Sequence, residues 1–363
     1  MKIIQLLTTV SHGDAVSNDA LVIHRLLKET GISSGIYAEN VDPRLRESAV
    51  SKLQSMPQLQ KDDLLIYHLS TGTELNFRIG EFRCRKIMIY HNVTPPAYFA
   101  PYNKELEKLC LDGLRGMVHL RNSFEAVIAD SEFNRQNLLD AGYTCPVYVA
   151  PILIPFGDYR QVPDEETVRN FSDGRANILF VGRIAPNKKQ EDVIRAFACY
   201  RQAYDPRARL VLAGSSYGTE NYLERLKRYA QALDVADSVV FPGHISFRQI
   251  LAYYRTADAF LCMSEHEGFC VPVVEAMSFG VPVVARGMCA VPETMGNAGL
   301  LLEDGRPEPA AAALHRVITD EGLRQRLAQA GADRVRELSY ENVSTRIREL
   351  LSPFIRKAQG VSL

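Results

Sequence analysis

The stretch "AFLCMSEHEGFCVPVVEAMSFGVPVVAR", residues 259–286, decides the fold. A short apolar run at 259–264 breaks off into Glu265-His266-Glu267-Gly268, a second apolar segment begins at Phe269, and a third run follows Gly280. The outer runs are strand-sized, and proline is favoured in a first helical turn, so a helix is expected to start near Val271 or Pro272. Strand, loop, helix and strand in that order form the repeating unit of a parallel sheet.

The same alternation runs along the chain. In the first half the strands read as "KIIQLL", "SGIYAE", "DLLIYHL", "KIMIYHN", "AVIADS" and "PVYVAP", with helices over 17–30 and 104–121 among the segments between them. In 104–121 the residues Leu106, Leu109, Cys110, Leu114, Met117 and Val118 share a face at helical period. A second series reads "ANILFVGRI", "ARLVLAG", "SVVFPG", "AFLCMS", "VPVVAR" and "GLLLE". Two successive α/β series predict two doubly wound, Rossmann-like domains, at 1–155 and 176–340. Residues 156–175, rich in Pro, Gly and acid and without apolar periodicity, read as a linker. The segment 341–363 reads as a terminal helix packing back on the first domain, with Val343, Ile347, Leu350, Leu351 and Phe354 on its apolar face.

The length of 363 residues exceeds what one core usually serves, which agrees with two domains. A formal net charge of -1 removes any bulk electrostatic argument for nucleic acid or an anionic membrane. The seven cysteines are scattered with no Cys-x-x-Cys pair, which argues against a disulfide framework or a zinc site and for a reducing cytoplasm. The opening "MKIIQLLTTVSHGD" reads as a first buried strand, not a leader, because its apolar run is short and lacks a small-residue cleavage site.

In an open parallel sheet ligands bind beyond the carboxyl ends of the strands, so the residues following each run carry the chemistry. After "ILFV" come Gly182, Arg183 and, five positions on, Lys188, a guanidinium and an ammonium suited to a diphosphate. Gly214 and Gly243-His244-Ile245 follow two further strands, and the glycines are expected to admit a ligand close to the backbone. In the opening stretch, the amides of Phe269, Cys270 and Val271 at the helix start offer an anion site, preceded by Gly268. Carboxylates accept hydrogen bonds and cannot donate, so Glu267 and Glu275 suit hydroxyls: a ribose diol on one side of a diphosphate and a second sugar on the other.

These segments, "FVGRIAPNKKQEDVIRAF", "LVLAGSS", "YYRTADAFLCMSEHEGFCVPVVEAMSFGVPVVA" and "VPE", resemble the donor half of the retaining glycosyltransferases of family 4, which have the GT-B fold. "ADSEFNRQNLLDAG", 129–142, is similar to the last helical unit of the family's first domain. The resemblance covers most of the chain; it is specific over 178–293 and loose before 125. It implies two domains facing across a cleft, with Arg183 and Lys188 stabilising a leaving diphosphate, Glu267 holding donor-sugar hydroxyls and Glu275 the ribose. The implied reaction moves a sugar from a nucleoside diphosphate sugar to a hydroxyl of a glycan or lipid-linked acceptor, with retention. "GDAVSND" after the first strand is similar to mannosyl- and rhamnosyltransferases of bacterial surface polysaccharide synthesis, which leans the donor towards GDP-mannose or a related GDP-sugar. No cofactor is expected, and the chain has no Asp-x-Asp to carry a metal. The family commonly has Gly-Phe-Gly where this chain has Gly268-Phe269-Cys270; helical or extended φ is expected at Cys270, which here reads as a small space-filler.

In the first half, Gly13, Asp14 and Asn18 form a loop that the resemblance turns towards the phosphates and acceptor. A single glycine there makes a dinucleotide fingerprint weak. His91, at another strand end ahead of Pro95-Pro96, is the catalytic candidate of this half. The helix over 104–121 reads as core-facing, with peripheral contact to a membrane bearing a lipid-linked acceptor as the alternative. Two other functions compete: a nucleotide-sugar epimerase or hydrolase on the same fold, which would turn over without acceptor, and a binding subunit that never turns over.

Overall fold

The computed structural model describes residues 1–11, 13–29, 31–45 and 50–358. His12 and the final five residues of the expected terminal helix lie outside these. By its contacts the chain divides into two compact units: Met1–Ala97, Glu105–Pro155 and Leu338–Leu363 form one, and Tyr98–Lys104 with Phe156–Glu337 the other.

The first unit is built on β1 (Ile3–Val10), β2 (Ser34–Val41), β3 (Val50–Lys52), β4 (Leu64–Leu69), β5 (Arg85–Tyr90), β6 (Ala126–Ala129) and β7 (Val147–Val149). They form one parallel sheet in the order β3-β2-β1-β4-β5-β6-β7. Ile3, Leu64, Ile66, Ile87, Ile89 and Ile128 fill one face of it. Against them pack Val22, Ile23, Leu26 and Leu27 of the helix Ala15–Glu29 and Val343, Ile347, Leu350 and Leu351 of the helix Tyr340–Ala358. Burying each such aliphatic side chain stabilises by about 1.5–3 kcal/mol before chain entropy is subtracted. β3 is a short edge strand with Ser51 and Lys52 exposed, and without an apolar run it has no sequence signal.

The second unit holds β8 (Asn177–Val181), β9 (Arg209–Ala213), β10 (Val239–Gly243), β11 (Ala259–Cys262), β12 (Val283–Arg286) and β13 (Gly299–Leu302). Its parallel sheet has the order β10-β9-β8-β11-β12-β13. Both orders reverse direction at one place, between β1 and β4 and between β8 and β11, and a crevice opens at the carboxyl ends of strands where such a reversal falls.

Two expectations need correcting here. The stretch 156–175 belongs to the second unit and contains the helix Glu165–Phe171. Asp164 caps it, accepting from the Thr167 amide at 2.8 Å, and Phe171 packs edge-on against Tyr253. A helix of two turns with so few inward residues leaves no periodic pattern to read. In the helix Lys104–His119 the buried residues are Cys110, Gly113, Gly116 and Met117, while Val118 is 42% exposed. The inward face is rotated because Gly113 and Gly116 let the chain at 72–76 come close: a Cβ on Gly72 would sit 1.9 Å from the Gly113 nitrogen, and one on Gly116 2.5 Å from Asn76 Cβ. Among the described residues no helix is long and apolar enough to cross a membrane.

Candidate functional site

In the second unit the chemistry collects at the β8/β11 reversal. After β8 the chain turns through Gly182 and Arg183 into a short 3-10 turn, Pro186–Lys188, while after β11 it runs through 264–270 into the helix Val271–Ser278. The two segments are laced together: the Glu265 amide donates to the Asn187 carbonyl at 2.9 Å, and Asn187 Nδ2 donates to the His266 carbonyl at 3.1 Å. This lacing brings Lys188 Nζ to 2.6 Å from Glu267 Oε2. Burial opposes the ammonium charge, but the Glu267 carboxylate more than offsets it and raises the Lys188 pKa above its ordinary value. Glu267 is buried, and its carbonyl accepts from the Ala290 amide at 3.4 Å. Arg183 is exposed; its Nη2 donates to the Tyr217 carbonyl at 2.9 Å and its guanidinium lies over the Phe99 ring. The neighbouring His266 imidazole has its pKa pushed down to about 4, chiefly by burial.

Glu275 falls at the start of the helix's second turn, and both its oxygens have partners. Tyr159 donates to Oε1 at 2.8 Å and Tyr254 to Oε2 at 2.7 Å. Burial raises the Glu275 pKa, and the two phenol hydrogen bonds limit the rise. Neither tyrosine carried a sequence signal, because both come from segments far from the motif. Each carboxylate oxygen retains a second lone pair, so two hydroxyls of a ligand remain acceptable partners.

Cys270 corrects an expectation. It has φ 78° and ψ 63°, the left-handed region, rather than helical or extended backbone. A residue with a Cβ costs on the order of 1–2 kcal/mol there, which explains why glycine is common at the matching position of the resembling family. The turn is held regardless: Thr294 Oγ1 donates to the Phe269 carbonyl, and Phe269 and Cys270 are both buried. Cys270 Sγ lies 4.0 Å from Cys262 Sγ. This contact and burial keep the Cys270 thiol well above the ordinary thiol range.

The glycines divide. At Gly214 a Cβ would lie 1.9 Å from the Gly182 carbonyl oxygen, so protein backbone, not a ligand, occupies the space expected for ligand approach. Gly243 has open space and a φ of 74°, so its need is conformational. His244 beside it is exposed, Ile245 is half-buried, and Ser246 then opens the helix Phe247–Thr256 with a capping box to Gln249. Gly268 and Val271 are half-buried at the helix entrance.

In the first unit His91 follows β5 and is buried within a chain of hydrogen bonds. Its Nδ1 is 2.9 Å from Asp130 Oδ2, and its Nε2 is 2.9 Å from His68 Nδ1. His68 Nε2 is in turn 2.9 Å from Gln5 Oε1, while Gln5 Nε2 donates to the Ala20 carbonyl at 3.0 Å. The Ala20 carbonyl fixes the amide, so Gln5 Oε1 must accept and His68 Nε2 must donate. His68 Nδ1 then has only a lone pair, so His91 must donate through Nε2, and one further proton is held between its Nδ1 and the Asp130 carboxyl. With Asp130 ionised, His91 is an imidazolium paired with it, and burial raises the Asp130 pKa towards the state in which that proton sits on the carboxyl instead. Burial opposes this charge, but Asp130 outweighs it and raises the His91 pKa, whereas burial holds His68 well below the ordinary range. Asp19, accepting from the Leu153 amide at 2.9 Å, has its pKa raised by burial to about 7. His68, Asp130 and Asp19 escaped sequence reasoning, although His68 and Asp130 lie at the ends of the strands flanking β5.

Of the loop candidates, Asp14 Oδ2 accepts from the Ser17 amide at 2.9 Å and from its hydroxyl at 2.7 Å, so Asp14 caps the helix Ala15–Glu29. Asn18 lies half-buried in that helix's first turn, and Gly13, with φ 78°, is exposed.

Two doubly wound parallel-sheet units make this an α/β protein of the GT-B fold class. Its likeness to solved structures agrees: an Anabaena protein, HepE, crystallised in complex with UDP and glucose, superposes with a TM-score of 0.78 over 97% of this chain and 100% of that one, at 18% identity. Residues 162–334 match the family described as Glycosyl transferases group 1. Among curated relatives, the chain is 28% identical over 244 residues to an alpha-monoglucosyldiacylglycerol synthase of Streptococcus pneumoniae, covering 65% of this chain and 53% of that one. It is 26% identical over 167 residues to the O-antigen chain mannosyltransferase B of Escherichia coli, covering 46% and 43% respectively. The chain thus spans about half the length of the curated relatives it matches.

Proposed function

We propose that the protein is a retaining, metal-independent glycosyltransferase that moves a hexosyl group from a nucleoside diphosphate sugar to a hydroxyl of a glycan or lipid-linked acceptor. The observation that carries the reading is the Lys188–Glu267 pair at 2.6 Å, placed with Arg183 at the reversal of the second sheet. In this reading Arg183, Lys188 and the amides at 269–271 take the negative charge that grows on the departing diphosphate, which is where preorganised donors lower a barrier most. Glu267 has two tasks: it aims Lys188 and presents its other oxygen to the donor sugar's hydroxyls. Glu275 binds the ribose with its second pair of lone pairs. His91 contributes as a fixed polar group, since both ring nitrogens are committed to Asp130 and His68. Acceptor binding is assigned to the first unit, where the loop at 13–18 follows β1 and His91 follows β5.

GDP-mannose or a related GDP-sugar is the proposed donor and surface polysaccharide assembly the proposed role. The loop at 13–19 and the Escherichia coli mannosyltransferase relative support both. A uridine diphosphate sugar is the second reading, favoured by the Anabaena structure. Thermal shift with GDP and UDP separates them: a larger rise with GDP supports the first, and a larger rise with UDP overturns it. Glu267→Ala and Lys188→Ala should each lose transfer by about 100-fold or more while remaining folded. Near-normal turnover in both would remove the site assignment.

A further inference from the structure

The position at which this chain departs from the resembling motif is also where it gathers two sulfurs. One ligand atom each from Cys262, Glu267 and Cys270 lies within 4.8 Å of the others, and all three residues are buried. We propose that these three side chains form a capture site for a thiophilic divalent cation of the zinc and cadmium class, and that its occupancy shuts the donor site.

The spacing favours a metal over a disulfide. Tetrahedral zinc with Zn–S bonds of about 2.3 Å sets its two sulfurs roughly 3.8 Å apart, close to the 4.0 Å found here. A disulfide needs about 2.05 Å, about half the separation found here. Charge also balances: two thiolates and the Glu267 carboxylate face the cation's two charges and the Lys188 ammonium beside it. Two thiol protons leave to solvent as the cation enters, and nothing is oxidised or reduced. Three protein ligands leave a fourth position open for water. Cys270 keeps a strained left-handed backbone with its sulfur 4.0 Å from Cys262 Sγ, and a metal site would give that strain a use. Cation binding occupies Glu267 and draws it from Lys188, so both would be lost to a nucleotide sugar. The inhibitory consequence rests on the proposed function; the binding does not.

The test uses the full chain, reduced and stripped of metal, titrated with cadmium while the thiolate-to-cadmium ultraviolet band and proton release are followed. About one cadmium per chain with roughly two protons released is expected, with zinc competing. Cys262→Ala should lose the band while retaining zinc-free turnover, and zinc should inhibit the wild type but not this variant. If Cys262→Ala does not fold, Cys270→Gly serves for the absorption measurement and should lose the band too. No stoichiometric band, or an undiminished band in either variant, would overturn the site. Stoichiometric binding that leaves wild-type turnover unchanged would overturn the inhibition. Because the band is read without any substrate, its failure is distinct from failure of the glycosyltransferase reading.

Discussion

Removing the Lys188 ammonium leaves the Glu267 carboxylate, 7% exposed, without the cation now 2.6 Å away. Breaking a fully buried pair from one side costs about 3–5 kcal/mol. Here the Lys188 side chain is 23% exposed, so water can enter the vacated space, and Lys188→Ala is expected to cost about 2 kcal/mol. Glu267→Ala leaves an ammonium that can turn towards solvent and should cost about 1 kcal/mol. In the double variant neither charge is stranded, so its loss should be about 1.5 kcal/mol, not the roughly 3 kcal/mol of simple addition. Urea unfolding followed by circular dichroism suits a chain without tryptophan, with the two units' transitions fitted separately if they part. The Lys188 pKa is raised above its ordinary value, so the ammonium's contribution to the pair is complete at neutral pH and is lost as pH rises into strong alkali. The coupling should therefore be flat between about pH 6 and 8. Losses that add within about 0.5 kcal/mol, or a neutral Lys188→Ala, would refute the view that this pair is a coupled unit.

Three further outcomes follow from the geometry. Asp19 has its pKa raised from 3.8 to about 7, so the folded state binds more protons across that window and stability falls as pH rises through it. Asp19→Asn keeps an acceptor for the Leu153 amide, and its stability relative to wild type should improve by on the order of 3 kcal/mol between about pH 4.5 and 7, read by urea midpoints; a pH-independent difference would contradict this. Cys270→Gly should be more stable than Cys270→Ala by about 1 kcal/mol, reversing the usual order, because of the φ of 78°. Gly214→Ala should cost about 3 kcal/mol or more through its clash with the Gly182 carbonyl, whereas Gly243→Ala, with open space, should cost about 1 kcal/mol, both measured by thermal unfolding.

The strands of both sheets were legible because buried parallel strands are continuous apolar runs, and each of the twelve runs became a strand. The thirteenth, Val50–Lys52, was not, because an exposed edge strand carries no such run. Arg183, Lys188 and Glu267 could be picked out as polar residues following strands beside a sheet reversal, and of these Lys188 and Glu267 lie 2.6 Å apart. What the sequence hid were partnerships across long separations: Tyr159 and Tyr254 on Glu275, and the path from Gln5 through His68 to His91 and Asp130. Such pairs depend on how segments pack, and no local spacing encodes them. The rotation of the helix Lys104–His119 shows the same limit, since Gly113 and Gly116 decided its buried face by what they lack.

On the proposed function, the second unit binds a nucleoside diphosphate sugar and activates it for transfer. The most direct measurement is nucleoside diphosphate release from GDP- and UDP-sugars by the wild type and by Glu267→Ala, with and without a glycan acceptor. Release should depend on acceptor, yield a product with the donor's anomeric configuration, and fall by about 100-fold in the variant. Release independent of acceptor, or equal in the two proteins, would contradict it.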